Sequence, residues 1–214
     1  MKAYILGGAK NGKSTLAQNL AVLCSKYEGV SLGSTGAPDG DCHRARELPL
    51  YYVATMVPTD DEDRARISRH REERAGLGFT TVERAKDLSG ILEPDGDCSP
   101  HGVYLVDSVT ALLSNVMFPP NAAFNPNAAE AVKKDLEIFL SKVDHAIFVS
   151  DYIYADPIAI SGRTEESNGH AAVESDAEDY TGTYIMGLAN IDRKIARLCD
   201  QLIEVSAGIA RVIP

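Results

Sequence analysis

Short apolar runs alternate along the chain with segments whose apolar residues recur at helical spacing. The apolar runs are too short for buried helices and are typical of strands covered on both faces; they occupy residues 2–6, 48–55, 103–107 and 145–150. Helical spacing predicts helices over 13–26, 111–118, 128–142 and 181–200, and a closing strand or hairpin is expected from 202–205 and 209–213. Strands that alternate with helices predict an α/β fold, a three-layer, doubly wound and mostly parallel sheet.

Two polar stretches interrupt this pattern. Residues 27–47 are rich in Gly, Ser, Pro and Asp, and residues 161–180 contain six acidic side chains against Arg163. Neither stretch has the apolar periodicity that a packed element needs. We therefore predict one domain over 1–214, with surface insertions near 27–47 and 161–180.

Composition and charge argue against several classes of protein. The 214 residues, 44% of them hydrophobic, suffice for one sizeable core, and no apolar run reaches the roughly 18 residues of a membrane span. The net charge of −10 argues against a general nucleic-acid or anionic-membrane surface. The four cysteines lack C-x-x-C spacing, so we expect neither a zinc site nor a disulfide framework. The first strand begins at residue 2, which leaves no room for a signal peptide, and a cytoplasmic protein is expected.

A phosphate-binding motif lies between the first strand and the first helix. The stretch fits G-x-x-x-x-G-K-[ST] and has the strand–turn–helix context that this motif requires. Its glycines can turn backbone N–H groups towards an anion, and the start of the helix offers further unpaired donors. The fold is therefore expected to be of the phosphate-loop NTPase type. The residues of the loop are Gly7, Gly8, Ala9, Lys10, Asn11, Gly12, Lys13 and Ser14.

Three side chains would carry the phosphate chemistry. Lys13 is expected to reach the β and γ phosphates of a nucleotide, and the Ser14 hydroxyl to bind Mg²⁺. Asp107 ends the apolar strand 103–107, where phosphate-loop enzymes keep the acid that orients Mg²⁺. A strand-terminal Asp is also a common helix cap, and this second interpretation of Asp107 stays open.

An arginine-rich segment follows the second strand. It predicts a helix over 59–75, started by a capping box of Thr59 and Glu62 and ended by Gly76. Apolar residues are few, and Glu62, Arg66, His70 and Arg74 share one row at i, i+4 spacing. The densest cationic patch of an acidic chain thus surrounds His70. A solvated helix face is the alternative explanation of the same residues.

At this helix the sequence resembles a known family, the bifunctional adenosylcobinamide kinase / adenosylcobinamide-phosphate guanylyltransferases of cobalamin biosynthesis. The resemblance covers most of the chain apart from 27–47 and about 152–182. It implies GTP and ATP as substrates, Mg²⁺, a corrinoid (adenosylcobinamide) partner and a homotrimer. The stretches that carry it are 7–14, Tyr52–Thr55, Arg66–Arg71 with Arg74, Thr81–Glu83, Val106–Thr110, Leu113–Asn115 and Asn190–Ile209.

The resemblance also assigns roles to individual residues. His70 matches the histidine that attacks the α-phosphate of GTP and carries GMP to adenosylcobinamide phosphate. Catalytic roles thus fall to His70 and Lys13, and metal binding to Ser14 and Asp107. Nucleotide contacts are expected from 7–14 and from Ala54, Thr55, Arg71, Glu72, Glu73, Arg74, Glu83 and Asp107.

The chain departs from the family after the fourth predicted strand. The family has an N-E-x-G-x-G-I-V-P stretch there, whereas this chain reads Asp-Tyr-Ile-Tyr-Ala-Asp-Pro over 151–157, and Phe79 replaces a family Trp. Two alternatives therefore stay open. One is a plain small-molecule kinase in which His70 is idle, and the other is a nucleotide-binding regulatory protein without catalysis.

Overall fold

The computed structural model describes residues 1–33, 38–39, 45–93, 96, 98–120, 122–153 and 180–214. Its helices are α1 (Lys13–Lys26), α2 (Asp61–Arg74), α3 (Val109–Met117), α4 (Ala128–Lys142) and α5 (Tyr180–Leu198), with a 3₁₀ helix at Leu88–Leu92. Its strands are β1 (Lys2–Gly7), β2 (Ser31–Leu32), β3 (Pro38–Asp39), β4 (Leu50–Ala54), β5 (Thr80–Glu83), β6 (Val103–Asp107), β7 (His145–Asp151), β8 (Gln201–Ser206) and β9 (Ile209–Ile213).

Seven of these strands form one sheet in the order β5-β4-β6-β7-β1-β8-β9. All neighbours are parallel except β8 and β9, which form the closing antiparallel hairpin. The predicted α/β, mostly parallel sheet is confirmed. Strand β5, which carries only one partly buried apolar residue, was not predicted from periodicity.

Helices cover both faces of the sheet, because alternate residues of the central strands point to opposite sides. In β1, Tyr4 and Leu6 belong to one apolar cluster, and Ala3 and Ile5 belong to the other. The first cluster is completed by α3, α4 and α5, and the second by α1. Both faces are therefore apolar, as expected for the strands of a parallel sheet, and the three-layer, doubly wound arrangement is confirmed.

The first predicted insertion is not wholly a surface feature. Val30 and Leu32 are only 7% and 5% exposed and pack into the α1-side cluster. The backbone of Leu32 exchanges two hydrogen bonds with the side-chain amide of Gln201, at 3.0 and 2.9 Å. The prediction of a surface loop over 27–47 is wrong for these two residues. Of the second insertion, Tyr180 begins α5, and residues 161–179 lie outside the described part of the chain.

The start of α2 differs by one residue from the predicted capping box. Asp60 is the N-cap, and its carboxylate accepts a hydrogen bond from the Asp63 N–H at 2.8 Å. The N–H and hydroxyl of Thr59 donate instead to the Asp63 carboxylate, at 3.0 and 2.7 Å. Asp63 thus has the reciprocal role expected of Glu62. At the other end, Gly76 adopts φ +87° just beyond the helix, as predicted.

The parallel strands bring several polar residues to one edge of the sheet. The carboxyl ends of β1, β4, β5, β6 and β7 carry Gly7, Ala54, Glu83, Asp107 and Asp151. Ligands of open α/β sheets bind outside this edge. None of the described helices combines the length and the hydropathy that a membrane crossing requires.

The burial of Leu32 can be tested with a single truncation. Leu32→Ala should lower the free energy of unfolding by about 2–3 kcal/mol, since it removes buried methyl groups and leaves a cavity. Leu198→Ala, the same change at a side chain that is 39% exposed, is the control. Equal denaturant midpoints for the two variants would show that the segment around Leu32 does not pack against the sheet.

Candidate active site

The loop between β1 and α1 has the backbone form expected of a phosphate site. Lys10 and Gly12 take positive φ values of 57° and 91°, while Gly8, Ala9 and Lys10 are exposed. Helix α1 begins at Lys13 with no side-chain cap on its N-terminus and no acidic residue in its first turn. The Lys13 N–H donates to Asn11 Oδ1 at 3.4 Å. The other N–H groups at the start of the helix and the positive end of its dipole favour the binding of an anion.

Contacts with β8 hold the loop in place. The side-chain amide of Asn11 donates to the Val205 carbonyl. A side chain at Gly7 would collide with the same carbonyl, so that only glycine permits this close approach of β1 and β8. The first residue of the motif therefore serves packing, whereas Gly12 supplies the left-handed conformation.

Lys13 is directed into the loop and is only 6% exposed. Its ammonium donates to the Gly8 carbonyl at 2.5 Å and lies 2.9 Å from a carboxylate oxygen of Asp151. Sequence reasoning did not select Asp151. The signal was present, because Asp151 ends an apolar strand in the same way as Asp107.

A cavity of about 440 Å³ lies between the phosphate loop, β4, β6 and α2. It brings together residues that lie as far apart in sequence as Ser14 and Asp107. Seven of the predicted site residues line it, namely Ser14, Ala54, His70, Arg71, Arg74, Glu83 and Asp107. Lining residues that were not predicted are Tyr52, Met56, Pro58, Arg64, Ile67, Ser68, Ser108 and Ala111.

Ten of the predicted site residues lie away from the lining of this cavity, namely the loop residues 7–13 and three others, Thr55, Glu72 and Glu73. Thr55 is fully buried, and its hydroxyl both donates to the Ser108 carbonyl and accepts from the Ser108 N–H, at 2.8 and 2.7 Å. It thereby fixes the ends of β4 and β6 against each other. Glu72 accepts a 3.4 Å hydrogen bond from Ser68, and Glu73 contacts His70.

The imidazole of His70 is oriented by Glu73. Nδ1 lies 3.0 Å from the Glu73 carboxylate, which can only accept when it is ionised, so Nδ1 carries the proton. In the neutral ring the lone pair then lies on Nε2. The side chain is 40% exposed and lines the cavity, so the ring is accessible to a ligand.

Helix α2 is held by its cationic residues rather than by an apolar face. Among its side chains whose burial the structure describes, only Arg74 is buried. The Arg74 guanidinium lies 3.5 Å from the centroid of the Tyr52 ring, and Arg71 forms an ion pair with Glu83. The Tyr52 hydroxyl in turn donates to Asp107 at 2.9 Å. Arg74, predicted as a nucleotide contact, therefore also fastens the His70 helix to the sheet.

The oxygen donors of the cavity fit Mg²⁺. Magnesium is usually held by one or two protein oxygens together with substrate phosphates, and Ser14 and Asp107 supply such donors. Asp107 does not serve as the cap of α3, because Ser108 has that role and accepts from the Ala111 N–H. No cluster of three or more His, Cys, Asp or Glu side chains suited to a metal occurs among the residues described.

Comparison with known proteins identifies relatives of the chain. A family model described as cobinamide kinase / cobinamide phosphate guanyltransferase matches residues 3–162. The bifunctional adenosylcobalamin biosynthesis protein CobU of Escherichia coli (strain K12) is 30% identical over 118 residues, which are 55% of this chain and 51% of that protein. The chain thus spans about half the length of this curated relative.

A solved structure is also similar, at low identity. The flagellar accessory protein FlaH from Methanocaldococcus jannaschii is 13% identical, with a TM-score of 0.41, over 99% of this chain and 77% of that one. A similarity at this level carries no argument about the site.

The attachment of α2 generates a first prediction for the site. Arg74→Met keeps an apolar stem but removes the guanidinium from the Tyr52 ring, which should cost about 2 kcal/mol of local stability. Hydrogen exchange of amides in 61–74 should accelerate by about 30-fold. Arg69→Met, at an exposed position of the same helix, is the control. Equal exchange in the two variants would show that the stacking does not hold α2.

The phosphate loop generates a second prediction. Lys13→Ala should weaken GTP binding by about 10- to 100-fold, because a charged hydrogen bond contributes about 1.5–3 kcal/mol. Isothermal titration of the folded variant measures this, with Lys133→Ala on α4 as the control for loss of one lysine charge. Unchanged GTP affinity in the Lys13 variant would exclude the predicted role of the loop.

Proposed function

Because the chain belongs to the cobinamide kinase / cobinamide phosphate guanyltransferase family, we propose that it phosphorylates adenosylcobinamide and then transfers GMP to the product. GMP comes from GTP and passes through a covalent intermediate on His70. The phosphoryl donor of the first step is ATP or GTP. This assignment goes beyond family membership, since it names both steps and the residue that carries GMP.

One observation carries the proposal. A histidine, three arginines, the serine of a phosphate loop and a strand-terminal carboxylate line a single cavity. A solvated helix face would need no such neighbours for His70. The cavity offers a nucleophile and the cations that a phosphoryl group in transfer requires.

The guanylyl transfer takes place in two displacements. Nε2 of His70 attacks the α-phosphorus of GTP, an N–P bond forms, the bond to the bridging oxygen breaks, and pyrophosphate leaves. A phosphate oxygen of adenosylcobinamide phosphate then attacks the same phosphorus, and the N–P bond breaks. Glu73 holds the imidazole in the tautomer that this attack needs. Arg71 and Arg74, which line the same cavity, would stabilise negative charge on the α-phosphate.

The kinase step uses the phosphate loop. A hydroxyl of adenosylcobinamide attacks the γ-phosphorus of the donor nucleotide, and the nucleoside diphosphate leaves. Lys13 and the N-terminus of α1 bind the β and γ phosphates. Mg²⁺, held by Ser14 and Asp107, would neutralise charge on these phosphates. The step requires no histidine.

A plain kinase is the second candidate. The observation in its favour is the exposure of α2, whose described side chains, apart from Arg74, are exposed or only half-buried. In that case the loop and Asp107 would act as above and His70 would remain unmodified. A regulatory protein that only binds nucleotide would perform neither step.

Detection of the covalent intermediate tests the proposal. Incubation with GTP labelled in its α-phosphate should transfer GMP to the protein, and mass spectrometry should locate it on His70. The bond is a phosphoramidate, so the label should survive base and be lost in acid. His70→Asn should abolish labelling, whereas His101→Asn, at an exposed histidine paired with Asp144, should label normally.

The same variant separates the two activities. His70→Asn should still phosphorylate adenosylcobinamide, because that step depends on Lys13 and Asp107. GMP on any residue other than His70, or undiminished labelling of His70→Asn, would overturn the assignment of the intermediate. Kinase activity without any labelling of the wild type would favour the plain kinase.

A further inference from the structure

Asp151 occupies a fixed position beside the phosphate loop. It pairs with Gly7 in the parallel ladder of β7 and β1, and the next N–H, that of Tyr152, donates to the Gly7 carbonyl at 3.1 Å. On its other side, the Asp151 N–H donates to the Thr110 hydroxyl of α3 at 2.9 Å. The backbone of Asp151 is therefore held by two elements before any ligand binds.

The support below Asp151 is itself hydrogen-bonded. Tyr184 of α5 donates its hydroxyl to the Thr110 carbonyl at 2.9 Å. Burial, together with the negative charges of Asp151 and Asp192, raises the pKa of Tyr184 to about 12, so this hydroxyl remains a donor at neutral pH. The backbone of Asp151, from which the carboxylate extends, is thus held by Thr110 of α3, which Tyr184 of α5 supports in turn.

This carboxylate neutralises the cation that the loop offers to phosphates. Lys13 contacts the Gly8 carbonyl, the Asn11 side chain and Asp151, and of these three partners only Asp151 is charged. The side chain of Lys13 is only 6% exposed, whereas that of Asp151 is 35% exposed. A nucleotide phosphate that binds to Lys13 therefore also comes close to the Asp151 carboxylate, which lies 2.9 Å from the Lys13 ammonium.

We propose that Asp151 is a specificity-determining residue that restricts the loop to nucleotides complexed with a divalent cation. The proposal rests on the nucleotide site of the proposed function. A free triphosphate brings its full negative charge against the carboxylate, and at this separation the repulsion is only partly screened. A divalent cation offsets part of the phosphate charge and attracts the same carboxylate. Asp151 thus penalises the free nucleotide more than its metal complex.

Neutralisation of Asp151 tests this role. Asp151→Asn keeps the shape of the side chain and an oxygen that can accept from Lys13, and Asp151→Ala removes both. Binding of a non-hydrolysable GTP analogue would be measured by titration calorimetry, once in excess EDTA and once in excess Mg²⁺. In EDTA, both variants should bind the analogue at least about tenfold more tightly than the wild type, since one repulsive unit charge has been removed.

The comparison between the two conditions is the specific readout. In Mg²⁺ the increase in affinity over the wild type should be clearly smaller than in EDTA. The ratio of the affinity in Mg²⁺ to the affinity in EDTA should therefore be lower in both variants than in the wild type. Asp144→Asn, which makes the same charge change at an aspartate paired with His101 rather than with Lys13, should reproduce the wild-type ratio. Thermal unfolding of each variant establishes that it is folded.

Several outcomes would overturn the proposal. In EDTA, binding by folded Asp151→Asn and Asp151→Ala that is no tighter than wild-type binding would show that the carboxylate does not oppose phosphates. An equal increase in the affinity of the variants in Mg²⁺ and in EDTA would show that Asp151 does not discriminate between the free nucleotide and its metal complex. Failure of the wild type to bind the analogue in either condition would overturn this role and the proposed function together. Absence of GMP on His70, with these affinities as expected, would refute only the guanylyl transfer.

Discussion

The parallel register of β4, β6, β7 and β1 is the constraint on which the site depends. Parallel strands leave all their carboxyl ends at one edge, because their connections cross the faces of the sheet. The register then decides which terminal residues become neighbours. Gly7 pairs with Asp151, and Ala54 pairs with both Asp107 and Glu83. A one-residue slip would move the apolar residues of a strand to the opposite layers and displace these polar ends together. The packing of the two apolar clusters thus also determines which polar residues are neighbours at the carboxyl ends of the strands.

Helix α2 shows how a polar helix can be placed without a core of its own. Its row of charged residues cannot supply the apolar face by which most helices pack. Instead the buried guanidinium of Arg74 stacks on Tyr52, and the hydroxyl of that tyrosine reaches Asp107. The position of His70, one turn before Arg74, is therefore tied to the carboxylate expected to hold the metal. The contacts that hold the helix are electrostatic, so they depend on the same charges that are expected to bind a phosphate ligand.

The sequence predicts those parts of the structure that depend on local pattern. The phosphate loop, the buried strands and the site edge follow from motif spacing and apolar runs, and the family resemblance is confirmed. Long-range contacts leave no such pattern. Nothing near Leu32 signals that Gln201 hydrogen-bonds its backbone, and nothing near Arg74 signals Tyr52. Asp151 was open to prediction in principle, since it ends a strand as Asp107 does. Its pairing with Lys13, however, follows from the strand order, which places β7 directly beside β1.

The cations expected to meet phosphates already have partners. Lys13 contacts Asp151, Arg71 contacts Glu83, and Arg74 lies over the Tyr52 ring. In a chain with a net charge of −10, the carboxylates of Asp151 and Glu83 thus offset two of these three cationic charges before a nucleotide arrives. Phosphate binding must then exchange one set of partners for another, so its net free energy is smaller than the sum of the new contacts. Such an exchange favours ligands that also satisfy the released carboxylates. A triphosphate that carries a divalent cation does both, whereas a bare anion satisfies only the cations.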